Sequence, residues 1–294
     1  MAGERYLVGL IGAGIGTSLS PALHERAARR LGVRYSYEII DIDQIGASPA
    51  DVGELLTAAR RLGFRGLNIT HPCKQLVIQH LDGLSPEAEM LGAVNTVLFT
   101  DGKALGHNTD ASGFAEGLRR GPGARRYDRV VLVGAGGAGS AVAHALLTMG
   151  AATVDVFDRD RRRAGELAGA LRDGYGSCRA TSHPMNALAD RLAEATGLVN
   201  ATPTGMWSHP GLPVPADLLR PDLWVTDVVY RPLDTELVRA ARACGCAVST
   251  GGLMAVFQAA HAFQLFTGHA PDAERMLRHF DTLATTPRTA DVVD

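Results

Sequence analysis

A chain of 294 residues with 46% apolar and 20% charged side chains has interior enough for one large or two ordinary domains, and its composition excludes a disordered chain. Its 29 basic residues against 31 acidic ones leave a formal charge of -2, and only 5% are aromatic, so neither a global positive field nor stacking platforms mark it as a nucleic-acid binder. Cys73, Cys178, Cys244 and Cys246 are too few for a disulfide framework. No run approaches the roughly 20 apolar residues that cross a bilayer, and the first residues lack the layout of a signal peptide. The expectation is a cytoplasmic protein with no membrane and no nucleic-acid partner.

The first apolar run, Tyr6 to Ile11, reads as a strand that enters the glycine-rich loop from Gly12 to Ser20. A helix follows with Pro21 in its first turn and Ser20 as the natural N-cap, and Leu23, Ala27 and Leu31 mark its buried stripe. Tyr35 to Ile42 reads as the second strand, Val52 to Leu62 as a helix, and Gly66 to Thr70 as a third strand that stops against Pro72. A helical turn over Leu76 to Leu81 and the run from Ala93 to Phe99, turning at Asp101-Gly102, complete a first α/β unit.

A helix from Ser112 to Arg119 leads into a Gly/Pro break through Ala124. The strand Arg129 to Val133 then carries the almost wholly apolar signature of a parallel strand buried on both faces. A small-residue helix to Met149 and the strand Thr153 to Phe157 close a βαβ unit. Alternation continues through a helix from Arg161 to Leu171, short strands at Leu198 to Asn200 and Leu223 to Asp227, a helix from Leu237 to Ala243 and a strand at Ala247 to Ser249. Helices from Met254 to Phe266 and from Pro271 to Phe280 follow, and the segment from Thr286 to Asp294 is expected to fray.

Gly134, Ala135, Gly136, Gly137, Ala138 and Gly139 form a dinucleotide-type loop in the required place, after a strand and at the opening of a helix. Asp158 ends the next strand, where a carboxylate accepts both ribose hydroxyls of NAD and repels a 2′-phosphate. Arg159, Arg161, Arg162 and Arg163 nearby are the residue type an NADP site uses, but the acid at the strand end favours NAD as the cofactor. Lysine is scarce: only Lys74 and Lys103 occur. Lys74 follows Asn68-Ile69-Thr70-His71-Pro72-Cys73 at the carboxyl end of a strand, where open sheets collect ligands and an amine can exchange a proton; the bland reading is a surface lysine beside a turn. Asp110 could pair with that amine or serve as an acidic residue at a helix start. No histidine or cysteine spacing suggests a metal, and no nucleophile elbow or phosphate loop of the P-loop type occurs.

Taken in order, these segments resemble the shikimate and quinate dehydrogenase family over nearly the whole chain. The resemblance rests on Ser18-Leu19-Ser20-Pro21 with His24, Asn68-Ile69-Thr70 through Lys74, Gly92-Ala93-Val94-Asn95-Thr96 and Gly106 with Asn108-Thr109-Asp110 and Gly113. It continues through Asn200 to Met206, then Asp227, Tyr230, Pro232 and Thr235, and ends with Gly251, Met254 and Gln258. It implies a two-domain α/β protein: an N-terminal substrate-binding and catalytic domain over residues 1–109 and 252–294, a Rossmann-type domain over 110–251, and C-terminal helices returning to the first domain. Ser18, Ser20, Thr70, Asn95, Asp110, Tyr230 and Gln258 are then expected to bind a hydroxylated ring acid, and Lys74 and Asp110 to carry proton transfer. Cofactor contacts are expected from the glycine loop, Asp158, Arg159, Arg163, Thr202, Pro203, Val228, Gly251 and Met254.

Gly14 replaces a common proline of the family, Thr17 a common histidine, and Asp158 a common asparagine. Together these departures look more like the NAD-linked quinate/shikimate branch, acting on quinate or shikimate as a monomer or homodimer. An NADP-linked biosynthetic shikimate dehydrogenase and a non-catalytic nucleotide-sensing regulator of the same fold are the alternatives.

Overall fold

The computed structural model describes residues 4–122 and 126–285. Part of the expected Gly/Pro break and the tail expected to fray therefore lie outside the described residues. Two compact α/β units result: one holds the chain up to Thr109 together with Gln258–Leu283, and the other holds Asp110–Phe257.

In the first unit, β1 (Arg5–Gly12), α1 (Ser20–Leu31) and β2 (Arg34–Asp41) form a parallel βαβ start, and α2 (Val52–Arg61) leads to β3 (Gly66–Ile69). Next come β4 (Gly83–Leu84), α3 (Pro86–Leu91) and a hairpin of β5 (Thr96–Thr100) and β6 (Lys103–His107). The sheet order is β2-β1-β3-β5-β6-β4, with β1 parallel to both neighbours and β5 antiparallel to β3 and β6. Alternate residues of β1 serve opposite faces: Ile11 packs with Leu67, Ile69 and Val97, whereas Val8 and Leu10 pack with Tyr37, Ala262 and Phe266. Gly66 makes the second layer possible, since a Cβ there would lie 2.5 Å from the Phe266 ring.

The second unit opens with α4 (Asp110–Arg120) and β7 (Arg129–Val133), followed by α5 (Gly137–Thr148), β8 (Thr153–Phe157), α6 (Arg161–Tyr175) and β9 (Ala180–His183). It continues with α7 (Leu188–Glu194), β10 (Gly197–Asn200), β11 (Trp224–Asp227), α8 (Glu236–Cys244) and β12 (Ala247–Ser249). All six strands are parallel in the order β12-β11-β10-β7-β8-β9, a Rossmann-type sheet whose order reverses between β7 and β10. α9 (Gly251–Thr267) crosses the division between the units, and its end and α10 (Ala273–Thr285) as far as Leu283 belong to the first. There Phe263 stacks on Tyr35 and approaches His24.

Several local expectations need correction. Ser20 is the first residue of α1, not its cap: no side chain caps this helix, and the Ser20 amide instead donates to the Ser18 hydroxyl at 3.2 Å. The short loop brings Ser18 within reach first. α4 begins at Asp110, two residues earlier than read, and β5 begins at Thr96 because Ala93 to Asn95 lie in a connecting segment. β6, β9 and α7 add elements to the sequence reading, each short and only partly apolar.

Candidate active site

In the first unit the chain crosses from β2 over β1 to β3, so the loops leaving β1 and β3 separate at one sheet edge, the position where open α/β sheets leave a crevice. The Ala13 amide donates to the His71 carbonyl at 3.0 Å and the Thr70 amide to the Ile11 carbonyl at 2.9 Å, which binds the two loops together. Antiparallel β5 starts at the same edge: the Ile69 amide donates to the Asn95 carbonyl at 2.8 Å and the Val94 amide to the Lys74 carbonyl at 2.9 Å. Ser18, Ser20, Thr70, Lys74 and Asn95 therefore lie along one rim. Ser18 Oγ and Ser20 Oγ are 3.2 Å apart, a hydroxyl pair at the start of α1 where an anion meets the positive end of the helix.

Two supports of this rim escaped the sequence reading. Asp41, at the end of β2 and 3% exposed, accepts the amides of Gly14 (3.0 Å), Ile15 (2.8 Å) and Gly16 (3.1 Å). The protein's own carboxylate thus fills the cradle of this first glycine loop and fixes the path to Ser18. The readable signal was the repeat of strand, glycine loop, helix, strand and terminal acid that Gly134 and Asp158 also show.

The second support is a buried hydrogen-bond network. Tyr37 Oη donates to Asn68 Oδ1 (2.8 Å), and Asn68 Nδ2 donates to Thr96 Oγ1 (3.0 Å) and the Asn95 carbonyl (3.2 Å). Thr96 Oγ1 and the Thr109 amide donate to Asn95 Oδ1 (2.9 and 2.8 Å), and Asn95 Nδ2 donates to Thr109 Oγ1 (2.9 Å). These bonds fix which face of the Asn95 amide is nitrogen and which is oxygen. His24 stands beside Tyr37, 1% exposed, with Nδ1 2.9 Å from Tyr35 Oη; burial pushes its pKa down to about 3. A neutral, enclosed imidazole of this kind holds α1 on the sheet. Cys73, next to Lys74, is also enclosed, and burial raises its thiol pKa.

In the second unit the glycine loop sits at the switch point between β7 and β10. Gly134 has a φ of 107°, and a Cβ on Gly139 would lie 1.9 Å from the Gly134 carbonyl oxygen, so both positions require glycine for close backbone approach. A Cβ on Gly136 would meet nothing within 4 Å, and no side chain caps the α5 amides that start at Gly137. Open space at an uncapped helix start fits the pyrophosphate of a nicotinamide dinucleotide. Asp158 turns inward: Oδ2 accepts the Ala135 amide at 2.7 Å and Oδ1 the Asp160 amide at 2.9 Å. Arg159 and Arg163 are both exposed, and Arg163 lies 3.6 Å from Asp160.

Beside the loop, Asn200 Oδ1 accepts the Thr202 amide (3.0 Å) and hydroxyl (2.7 Å), placing Thr202 against Gly134 and setting the course to exposed Pro203. Asn200 Nδ2 donates to buried Asp227 (2.9 Å), which also accepts the Thr235 hydroxyl (2.7 Å) and the Val229 amide (3.0 Å). Burial raises the Asp227 pKa against these bonds. Gly251 packs on Val228, whose carbonyl oxygen a Cβ would approach to 2.3 Å. Asp110 opens α4 and is buried, Tyr230 is 38% exposed, and half-buried Met254 and Gln258 lie on α9. Tyr230, Met254 and Asp110 belong to the second unit, and Gln258 to the first.

The family model described as the shikimate dehydrogenase substrate binding domain matches residues 10–97. The one described as shikimate / quinate 5-dehydrogenase matches 122–205, and that of the shikimate 5'-dehydrogenase C-terminal domain matches 254–279. A relative from Streptomyces avermitilis named shikimate dehydrogenase (NADP(+)) is 61% identical over 286 residues, covering 97% of this chain and 98% of its own. The quinate/shikimate dehydrogenase (NAD(+)) of Corynebacterium glutamicum (strain R) is 47% identical over 281 residues, covering 95% and 99%. A solved structure of quinate dehydrogenase from Corynebacterium glutamicum in complex with NAD has a TM-score of 0.91 at 46% identity, covering 95% of this chain and 99% of that one. Both cofactor types appear among these names, so the NAD-linked branch expected from Asp158 is not singled out.

Proposed function

Because the chain belongs to the shikimate and quinate dehydrogenase family, we propose that it interconverts shikimate and 3-dehydroshikimate with NADP as the hydride carrier. The gathering of Ser18, Ser20, Thr70, Lys74 and Asn95 at one rim of the first sheet is the observation that carries the substrate reading. The paired serine hydroxyls suit the ring carboxylate, and Thr70 and the oriented Asn95 amide suit ring hydroxyls, with Gln258, Tyr230 and Asp110 as further polar contacts. In the oxidative direction the Lys74 amine takes the C3 hydroxyl proton while the C3 hydride leaves, so a ketone forms; in reduction the Lys74 ammonium returns the proton to the alkoxide. Asp110 assists that proton transfer. Such acid–base help is worth typically about 10²–10⁴-fold. The glycine loop, Thr202, Val228 and the α5 amides would hold the dinucleotide, whose nicotinamide would supply the hydride acceptor or donor at C4.

The NADP reading follows the 61% and 53% identical relatives, which are named for that cofactor, and the exposed Arg159 guanidinium, which suits a 2′-phosphate. Asp158 has a structural task here, closing the glycine loop through Ala135, and need not select the ribose. A second reading, NAD-linked oxidation of quinate and shikimate, rests on the charge of that same carboxylate, which opposes a 2′-phosphate. Initial rates with shikimate and quinate, each against NADP and NAD, separate the two. The proposal requires the highest kcat/KM with shikimate and NADP, and a tenfold or larger preference for NAD overturns its cofactor half.

A further inference from the structure

In the first unit, α1 and α10 border two adjoining depressions of about 140 and 450 Å³ that share Arg26, Arg30, Arg275 and His279. Arg278 lines the larger one. Elsewhere Arg120, Arg129, Arg162, Arg220 and Arg242 meet carboxylates at 2.6 to 3.3 Å, while Arg65, Arg172 and Arg179 meet backbone carbonyls. Of the groove arginines only Arg275 meets a carboxylate, that of Asp272 at 3.0 Å. Arg26, Arg30 and Arg278 have no ion-pair partner among the described residues, and all are exposed.

Arg26 and Arg30 are four apart on α1, and Arg275 and Arg278 three apart on α10, so like charges share each helix face and repel. The C-terminal dipole of α1 accounts for Arg29 and Arg30 but not for Arg26, and Arg278 is not in the last turn of α10. His279 registers the local field: burial, then Arg26, Arg29 and Arg30 lower its pKa. In a chain of net charge -2 this is a local excess of positive charge in a concave setting.

We propose that this groove binds a compact multivalent phosphate, a di- or triphosphate group, independently of the dehydrogenase site. Guanidinium forks match phosphate oxygens in pairs, and an anion shared across the groove removes the repulsion within both helices. Leu23, Ala27 and Met276 floor the smaller depression, which exposed Leu31 and Asp272 also line, and give an apolar shelf beside the phosphate position. The convergence of Arg26, Arg30, Arg275 and Arg278 from two helices on one concavity favours a small ligand over an extended polyanion.

The test is calorimetric titration of the full chain with inorganic tripolyphosphate at low salt, with saturating nicotinamide dinucleotide present so that the α5 glycine loop is unavailable. One site per chain is expected, weakened at least about tenfold in Arg26→Ser/Arg278→Ser and unchanged in the control Arg60→Ser/Arg61→Ser, which removes the same charge from α2. Absence of saturable binding, or equal weakening in both double variants, overturns the proposal. Tighter binding of a duplex oligonucleotide than of tripolyphosphate also overturns it, because the surface would then serve an extended polyanion.

Discussion

Protonation of His24 should limit the acid stability of the first unit. Its pKa falls from 6.5 to about 3 because burial among Tyr35, Tyr37, Phe263 and Phe266 penalises the charged ring. The unfolded chain takes up a proton near pH 6.5 that the folded chain refuses. The contribution is therefore intact above pH 6.5 and is lost as pH falls toward 3, at about 1.4 kcal/mol per pH unit and about 5 kcal/mol in full. In His24→Asn the amide replaces Nδ1 as partner of the Tyr35 hydroxyl but does not titrate. Urea unfolding of both proteins between pH 7.5 and 4.5 cancels the carboxylates they share. The variant should start less stable through lost packing yet lose about 2 to 3 kcal/mol less over that interval. Parallel dependence of unfolding free energy on pH in the two proteins would refute the assignment of His24 as a neutral buried support.

Two substitutions separate ligand space from packing space. Gly136→Ala should leave stability within about 0.5 kcal/mol, since its Cβ meets nothing within 4 Å, yet raise the dinucleotide Kd at least about tenfold by filling the pyrophosphate approach. Fluorescence titration and thermal melts check both halves, and unchanged Kd would contradict the cofactor placement. Tyr37→Phe removes the donor to buried Asn68 Oδ1 and should destabilise the chain by about 1–3 kcal/mol. It should also raise the ring-acid KM with little change in kcat, because Asn95 loses orientation through Asn68 and Thr96. A fall in kcat at constant KM would count against that route.

How much of this was legible beforehand follows from the range of each interaction. The unit-2 loop was readable because Gly134, Gly136 and Gly139 sit between an all-apolar strand and a helix, and each glycine answers a local steric demand. The apolar stripe of α9 was also readable, but only the family resemblance implied that it returns to the first unit, where Phe266 covers Gly66 some 200 positions away in sequence. Tyr37 read as one more strand residue, since its partner Asn68 lies 31 positions on and no periodicity encodes a hydroxyl's direction. Asp41 and Asp158 share one signal, an acid at a strand end, but the sequence reading applied it only to the second. The inward bond of Asp158 to Ala135 depends on loop curvature that residue types do not report.

Lys74 is the residue on which the proposed chemistry turns, and its replacement gives the most direct test. Lys74→Met keeps the length of the side chain and removes the exchangeable proton. Shikimate oxidation measured with saturating cofactor should fall about 10²–10⁴-fold in kcat while cofactor affinity and the melting temperature stay near wild type. Turnover within about threefold of wild type across the pH range would contradict a proton-transferring amine at the rim of the first sheet.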